Sequence, residues 1–304
     1  MRKQWIRLPN WLIRNHASKD QIVSQEICTN GKAPNNSTQA RFASDVALTF
    51  GVRIVALFIG IATGIVVARI LGPEGRGAYA LIVAFPGLVL SFVHLGIAQA
   101  NIYFLRKADV KVDPAIIKAN TAVLTIGISV VTVVALWLLR PIIFSSFLKD
   151  LAPEYYWIIL MVVPFIILET YASSLLVANE RFRLINAISF LLRIIETTSI
   201  VIVLIIFHMG LWGVALAYLG MSITSALTNS YFAFRGHPAI GRPDYQTIGR
   251  SVAYGLKSHI QTLTGFLHFR VDIFILAAFL STVEVGYYSV AVGLVSLIFL
   301  FRNR

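Results

Sequence analysis

"ARILGPEGRGAYALIV", residues 68–83, sets one short polar turn between two long apolar runs. Gly72-Pro73-Glu74-Gly75 suits a tight reversal, because proline presets φ at the second position and glycine closes the turn. The flanking runs are too long for helices of a soluble core. About 20 mostly apolar residues cross a bilayer, and from Ala47 onward such blocks follow one another almost without pause. The chain of 304 residues is 57% hydrophobic and 13% charged, against about 25% charged in soluble domains. These features predict an all-α polytopic membrane protein.

Eight spans are expected, at about residues 46–70, 78–104, 114–138, 155–178, 184–207, 210–234, 250–281 and 284–301. The connections are short, so neighbours form antiparallel hairpins. The seventh span is longer than a perpendicular crossing requires, so it must tilt, bend or protrude. Residues 1–45 are a polar, basic tail with a linker-like stretch, GKAPNNST at 31–38. Within that tail WIRLPNWLIR (5–14) interleaves basic and apolar residues. It suits either the membrane surface or an unstructured tail. No secretory signal is recognisable. Cys28 stands alone, which excludes a disulfide framework and a cysteine-based metal site.

The net charge of +12 reports topology rather than a nucleic-acid partner. With the N-terminus inside, the inner segments hold Arg2, Lys3, Arg7, Arg14, Lys19, Lys32, Arg41, Arg106, Lys107, Lys111, Arg181, Arg183, Arg235, Arg242, Arg250, Arg302 and Arg304. The outer segments hold only Arg76, Arg140 and Lys149, with Arg69 at an edge. Lys and Arg accumulate on the cytoplasmic side, so both termini are expected there.

The opening motif has a fainter second copy, "AAFLSTVEVGYYSVAV" at 277–292. Ala68, Leu71, Gly77, Tyr79 and Val83 align without gaps on Ala277, Leu280, Gly286, Tyr288 and Val292. Six spans separate the copies. Six is even, so both have the same orientation, as in parallel repeats about an axis along the membrane normal. The expected organisation is a six-helix lobe at 46–234, a linker at 235–249, and at 250–304 the first two helices of a second lobe. On that reading the chain is C-terminally truncated.

Ionisable residues at membrane depth cost about 2.5–3.5 kcal/mol on insertion scales and mark function by default. Arg53, Arg193 and Arg270 fall on spans 1, 5 and 7. Three arginines lining a water-filled cavity suit an anionic substrate, because the planar guanidinium grips phosphate bidentately. Glu169, Glu196 and Asp272 are positioned to balance those charges or bind a coupling cation. His94 is either packed and hydrogen-bonded or proton-handling. Glu169 and Arg193 lie about twelve residues either side of the turn near Arg181, a spacing that fits an interhelical ion pair. Lys118 lies near the inner end of span 3, where a lysine snorkels. No P-loop, dinucleotide fingerprint, HExxH or cysteine pair occurs. Nothing in the sequence points to an enzyme, a metal or another cofactor.

"ARILGPEGRGAYALIVAFPGLVLSFVHLGIAQANIYFL" (68–105) resembles the first helical hairpin of the oligosaccharide flippases of bacterial polysaccharide biosynthesis. That family shares a superfamily with the multidrug-and-toxin-extrusion transporters and the lipid II flippase. "FRVDIFILAAFLSTVEVGYYSVA" (269–291) resembles the start of that family's second lobe. The resemblance covers about 46–301. It implies two six-helix lobes around a cavity in the bacterial inner membrane. A polyprenyl-pyrophosphate-linked oligosaccharide would cross there to the outer face by alternating access. Gradient coupling, and company with a polysaccharide polymerase and glycosyltransferases, are further expectations. The chain departs from the family in having eight spans rather than twelve or more, and in its long tail. Two other readings remain at this stage: a multidrug cation antiporter of the same fold, and a non-transporting truncated scaffold.

Overall fold

The computed structural model describes the backbone of residues 36–107, 112–235 and 239–302. Of these, it describes the side chains within 50–293 except Arg53 and residues 266–270. The tail motif at 5–14 lies outside the described residues. All packing below concerns the compact unit Thr49–Arg304.

The described elements are helical throughout: α1 (Asn36–Val93), α2 (Ile97–Arg106), α3 (Pro114–Leu138), α4 (Arg140–Ser146), α5 (Pro153–Ala178), α6 (Phe182–Val201), α7 (Gly210–Phe234), α8 (Tyr245–Phe279) and α9 (Thr282–Arg302). A π-helical turn, Ile202–Ile206, prolongs α6. Among the described residues, five segments are long and apolar enough to cross a membrane: Phe50–Val93, Pro114–Leu138, Pro153–Ala178, Phe182–Ile206 and Gly210–Phe234. The chain is a multi-pass, all-α membrane protein.

The opening motif is a kink rather than a loop. Gly72 alone leaves helical geometry within α1, at φ 69° and ψ −178°. A side chain rarely adopts that conformation, so glycine is needed. Pro73 then starts the second arm at the first helical position, where its missing N–H costs nothing. The second copy makes the same break with different chemistry. Leu280 is extended, and Ser281 caps α9. The Ser281 backbone N–H donates to Glu284 Oε2 at 3.1 Å and its hydroxyl donates to the same oxygen. This carboxylate reaching back from the third position to the cap is the glutamate half of a capping box.

The expected second span is itself broken. Leu95 (φ 48°) and Gly96 (φ 66°) interrupt it between α1 and α2, whereas Pro86 and Pro164 sit inside α1 and α5. The break is held from three sides. The Gly96 N–H donates to His94 Nδ1 at 2.7 Å, and the Tyr171 hydroxyl donates to the His94 carbonyl at 2.8 Å. Gly96 also packs directly on the backbone of Gly255 in α8.

α5 is the core helix, with Tyr156, Ile159, Ile167, Tyr171 and Leu175 fully buried. Against it α3 turns its hydroxyls inward and its apolar groups outward. Thr121, Thr125, Ser129 and Thr132 are buried, while Ile126, Val130, Val131 and Val134 are exposed. This inversion fits a lipid-facing surface. Thr121 donates to Asn101 Oδ1 (3.2 Å), and Asn101 donates to Ser174 Oγ (3.0 Å), which joins α2, α3 and α5.

α8 lies against this bundle. Phe274 meets Phe85 and Phe147 edge-on at 6.4 and 6.3 Å, and Tyr254 stacks on Tyr103 at 4.2 Å. The linker before α8 is clamped to α3: the Asp244 N–H donates to Asn120 Oδ1 at 2.8 Å, and Asn120 Nδ2 donates back to the Asp244 carbonyl at 3.3 Å.

Candidate functional site

The first arm of α1 carries Gly60-Ile-Ala-Thr-Gly64, two glycines four apart and hence on one face. Two arginines from different elements come to this face. A Cβ added to Gly60 would lie 2.8 Å from Arg193 Nη2, and one added to Gly64 would lie 3.5 Å from Arg76 Nη2. The absence of side chains at 60 and 64 opens the notch that both guanidiniums approach. Thr63, between them in sequence, shares a 3.0 Å hydrogen bond with Thr197 of α6.

Arg193 places Nη1 2.7 Å from Glu196 Oε2, one turn along α6. The pair is half-buried. Glu169, also half-buried, accepts a 2.6 Å hydrogen bond from Ser225 Oγ of α7. The interhelical Glu169–Arg193 pair expected from equal depth is therefore replaced by two separate contacts. Depth fixes how far along a helix a group lies, not its rotation about the axis, and Glu196 is nearer in rotation.

Arg76 is expected between two spans; because Gly72 is a one-residue kink, it lies in the first turn of the second arm of α1. Its guanidinium lies over the Tyr79 ring at 5.7 Å. Its Nε is buried with no hydrogen-bond partner among the described residues. It also lines a cavity of about 380 Å³, with Ala68, Pro73, Gly286, Tyr287, Val290 and Ala291. That cavity lies between the kink of α1 and the start of α9.

The other expected residues fall elsewhere. Asp272 accepts a hydrogen bond from the Tyr288 hydroxyl of α9 and one from its neighbour's N–H at 2.8 Å. His94 is 5% exposed at the α1–α2 break. Its ring meets that of His259 edge-on at 5.1 Å, and His259 Nδ1 is buried without a partner among the described residues. Arg53 and Arg270 lie in α1 and α8, but their side chains are outside the described residues. The structure thus brings together Arg193 and Glu196, adds Arg76 at the same notch with Tyr79 beneath its guanidinium, and leaves Glu169 with Ser225. Asp272 and His94 have separate partners.

Chemically, the region offers two guanidiniums beside a notch and the two carboxylates of Glu196 and Glu169. The first pair suits a phosphate. The second can balance charge or hold a proton or small cation. Comparison with curated proteins and with solved structures finds no significant match. The family model described as polysaccharide biosynthesis protein matches residues 42–303, nearly the whole membrane region, and the chain belongs to that family.

Proposed function

We propose that this chain is a flippase. It would move a polyprenyl-pyrophosphate-linked oligosaccharide from the cytoplasmic to the outer face of the bacterial inner membrane by alternating access. The observation that carries this reading is the approach of Arg76 and Arg193 to the Gly60–Gly64 notch, beside a cavity of about 380 Å³. A pyrophosphate presents the planar oxygen pairs that guanidinium binds two at a time. In this reading residues 46–234 act as one lobe, and α8 and α9 open a second related by a parallel repeat. Both termini face the cytoplasm, and partners include a polysaccharide polymerase and glycosyltransferases.

One observation favours a second reading. Glu169 and Glu196 put two carboxylates on membrane helices, held by Ser225 and Arg193, and acidic groups at that depth suit an organic cation. That would make the chain a cation antiporter of the same fold.

Complementation separates the two. The 304-residue chain would be expressed in a flippase-deficient strain and surface polysaccharide measured. Restored polysaccharide that Arg76→Ala or Arg193→Ala abolishes supports the flippase. Resistance to cationic drugs without restored polysaccharide supports the antiporter.

A further inference from the structure

Arg76 is a long side chain with few restraints of its own. Its Nε is buried with no hydrogen-bond partner among the described residues, and no carboxylate pairs with its guanidinium there. Two groups hold it in place. One is the bare backbone of Gly64, where a Cβ would lie 3.5 Å from Nη2. The other is the Tyr79 ring, whose centre lies 5.7 Å from the guanidinium carbon. Arg76 and Tyr79 are three apart on the second arm of α1, so they share a face. A guanidinium over an aromatic face is attracted by the ring quadrupole. That contact holds the cation without using any of its N–H donors.

The ring itself is fixed by the fold. Tyr79 is 8% exposed and belongs to a buried cluster with Val67 of the first arm of α1, Ile200 of α6, Leu204 of the π-helical turn and Val214 of α7. A ring enclosed in this way is held in one orientation. It therefore ties Arg76 to α6, the helix that carries Arg193. Such a restraint matters for binding. An arginine that must be ordered by its ligand gives up affinity, about two- to tenfold for one immobilised side chain. An arginine already laid over a fixed ring does not.

We propose that Tyr79 is the positioning residue for Arg76. Its ring holds the guanidinium at the Gly60–Gly64 notch, beside the cavity of about 380 Å³, and acts on the bound anion only through that arginine. The identity of the anion, a lipid diphosphate, rests on the flippase reading.

The test is thermal melting of the detergent-solubilised, delipidated full chain titrated with farnesyl diphosphate. Farnesol, and sodium chloride at matched ionic strength, are the controls. The proteins are wild type, Tyr79→Phe, Tyr79→Leu, Arg76→Ala and the double variant Tyr79→Leu/Arg76→Ala. Tyr79→Met replaces the leucine variant if that one melts too low to titrate. Wild type and Tyr79→Phe, which keeps the ring, should be stabilised saturably by the diphosphate, with half-saturating concentrations within about twofold of each other. Tyr79→Leu should raise that concentration about three- to tenfold, and Arg76→Ala at least about tenfold. The double variant should match Arg76→Ala alone, because a residue that acts through Arg76 then has nothing to position. A merely structural tyrosine would lower affinity further in the double variant, and that result overturns the proposal. So does wild-type affinity in Tyr79→Leu, a loss in Tyr79→Phe equal to that in Tyr79→Leu, or no response of wild type to the diphosphate. Surface polysaccharide in the complemented strain separates this proposal from the flippase reading. The expected binding pattern without restored polysaccharide keeps the positioning role and removes the flippase. Restored polysaccharide that Tyr79→Leu leaves at the wild-type level overturns the positioning role and keeps the flippase.

Discussion

Gly77 and Gly286 touch across the two copies of the opening motif, and the contact is reciprocal. A Cβ on Gly77 would overlap the Thr282 carbonyl oxygen, and a Cβ on Gly286 would overlap the Pro73 carbonyl oxygen. Pro73 aligns on Thr282 and Gly77 on Gly286 without a gap. So each glycine packs on the partner's equivalent of a residue in its own copy. Contacts of this form arise about a two-fold axis. The weak repeat in sequence has a backbone counterpart in space.

Alanine at either position should therefore act in the same way. Each methyl meets backbone, which cannot rotate aside, so Gly77→Ala and Gly286→Ala should each cost about 1–3 kcal/mol. The two share one interface, so the double variant should cost clearly less than the sum. Melting of the four proteins in detergent checks this. Strict additivity would mean that the two glycines serve separate contacts.

The arginine cluster predicts loss of transport without loss of fold. The Arg193–Glu196 pair is a half-exposed i,i+3 contact, worth about 0.3–0.5 kcal/mol, so Arg193→Ala should melt close to wild type. Losing a charged hydrogen bond to substrate costs about 1.5–3 kcal/mol, or about 10- to 100-fold. Surface polysaccharide in a complemented strain should fall on that scale for Arg193→Ala and Arg76→Ala. Arg53→Ala and Arg270→Ala are expected to behave likewise. Arg193→Lys should not restore export, because ammonium cannot grip two oxygens in one plane. Normal export in all the alanine variants would remove the cationic notch from the mechanism.

The break at His94–Gly96 is held by identifiable bonds. Tyr171→Phe removes one donor to the His94 carbonyl and keeps the ring, so it should cost about 1 kcal/mol. His94→Ala removes the acceptor for the Gly96 N–H and should cost about 1–2 kcal/mol by leaving that group unpaired. Gly96→Ala should be worst of the three. It must hold φ near 66° and would drive a methyl into the backbone of Gly255. Hydrogen exchange at 94–97 reads this directly, with faster exchange expected in all three variants.

Much of the helix plan is legible in hydropathy, because a span is set by a length and a solvent. The expected 114–138 and 210–234 coincide with α3 and α7. What is not legible is rotation and local backbone. "VHLGIA" (93–98) reads as continuous helix because one glycine is a weak signal, yet Leu95 takes φ 48° once His94 and Tyr171 supply partners. Arg76 is missed for a related reason: four turn-forming residues suggest a loop, whereas Gly72 alone makes the bend. Glu169 shows the limit for pairs. Its depth is readable, but its partner Ser225 depends on how α5 and α7 turn toward each other.

The start of α8 carries a pH dependence outside the membrane. Asp244 is its N-cap. Its carboxylate accepts from the Thr247 hydroxyl and, at 2.9 Å, from the Thr247 N–H, with a longer bond from the Gln246 N–H. These donors, the Thr247 hydroxyl foremost, hold the carboxyl below its usual value of 3.8. A carboxyl depressed on folding stabilises the fold above its unfolded value. That contribution disappears as pH falls from about 4 through the folded value. The melting temperature of wild type should thus exceed that of Asp244→Ala at pH 7, and the gap should narrow below about pH 4. Taking the difference cancels the other carboxylates that titrate in this range. Asp244→Asn keeps a capping oxygen without a titrating group, so its gap from Asp244→Ala should stay level with pH. A wild-type gap that held constant down to pH 3 would show that the ionised carboxylate does not anchor α8.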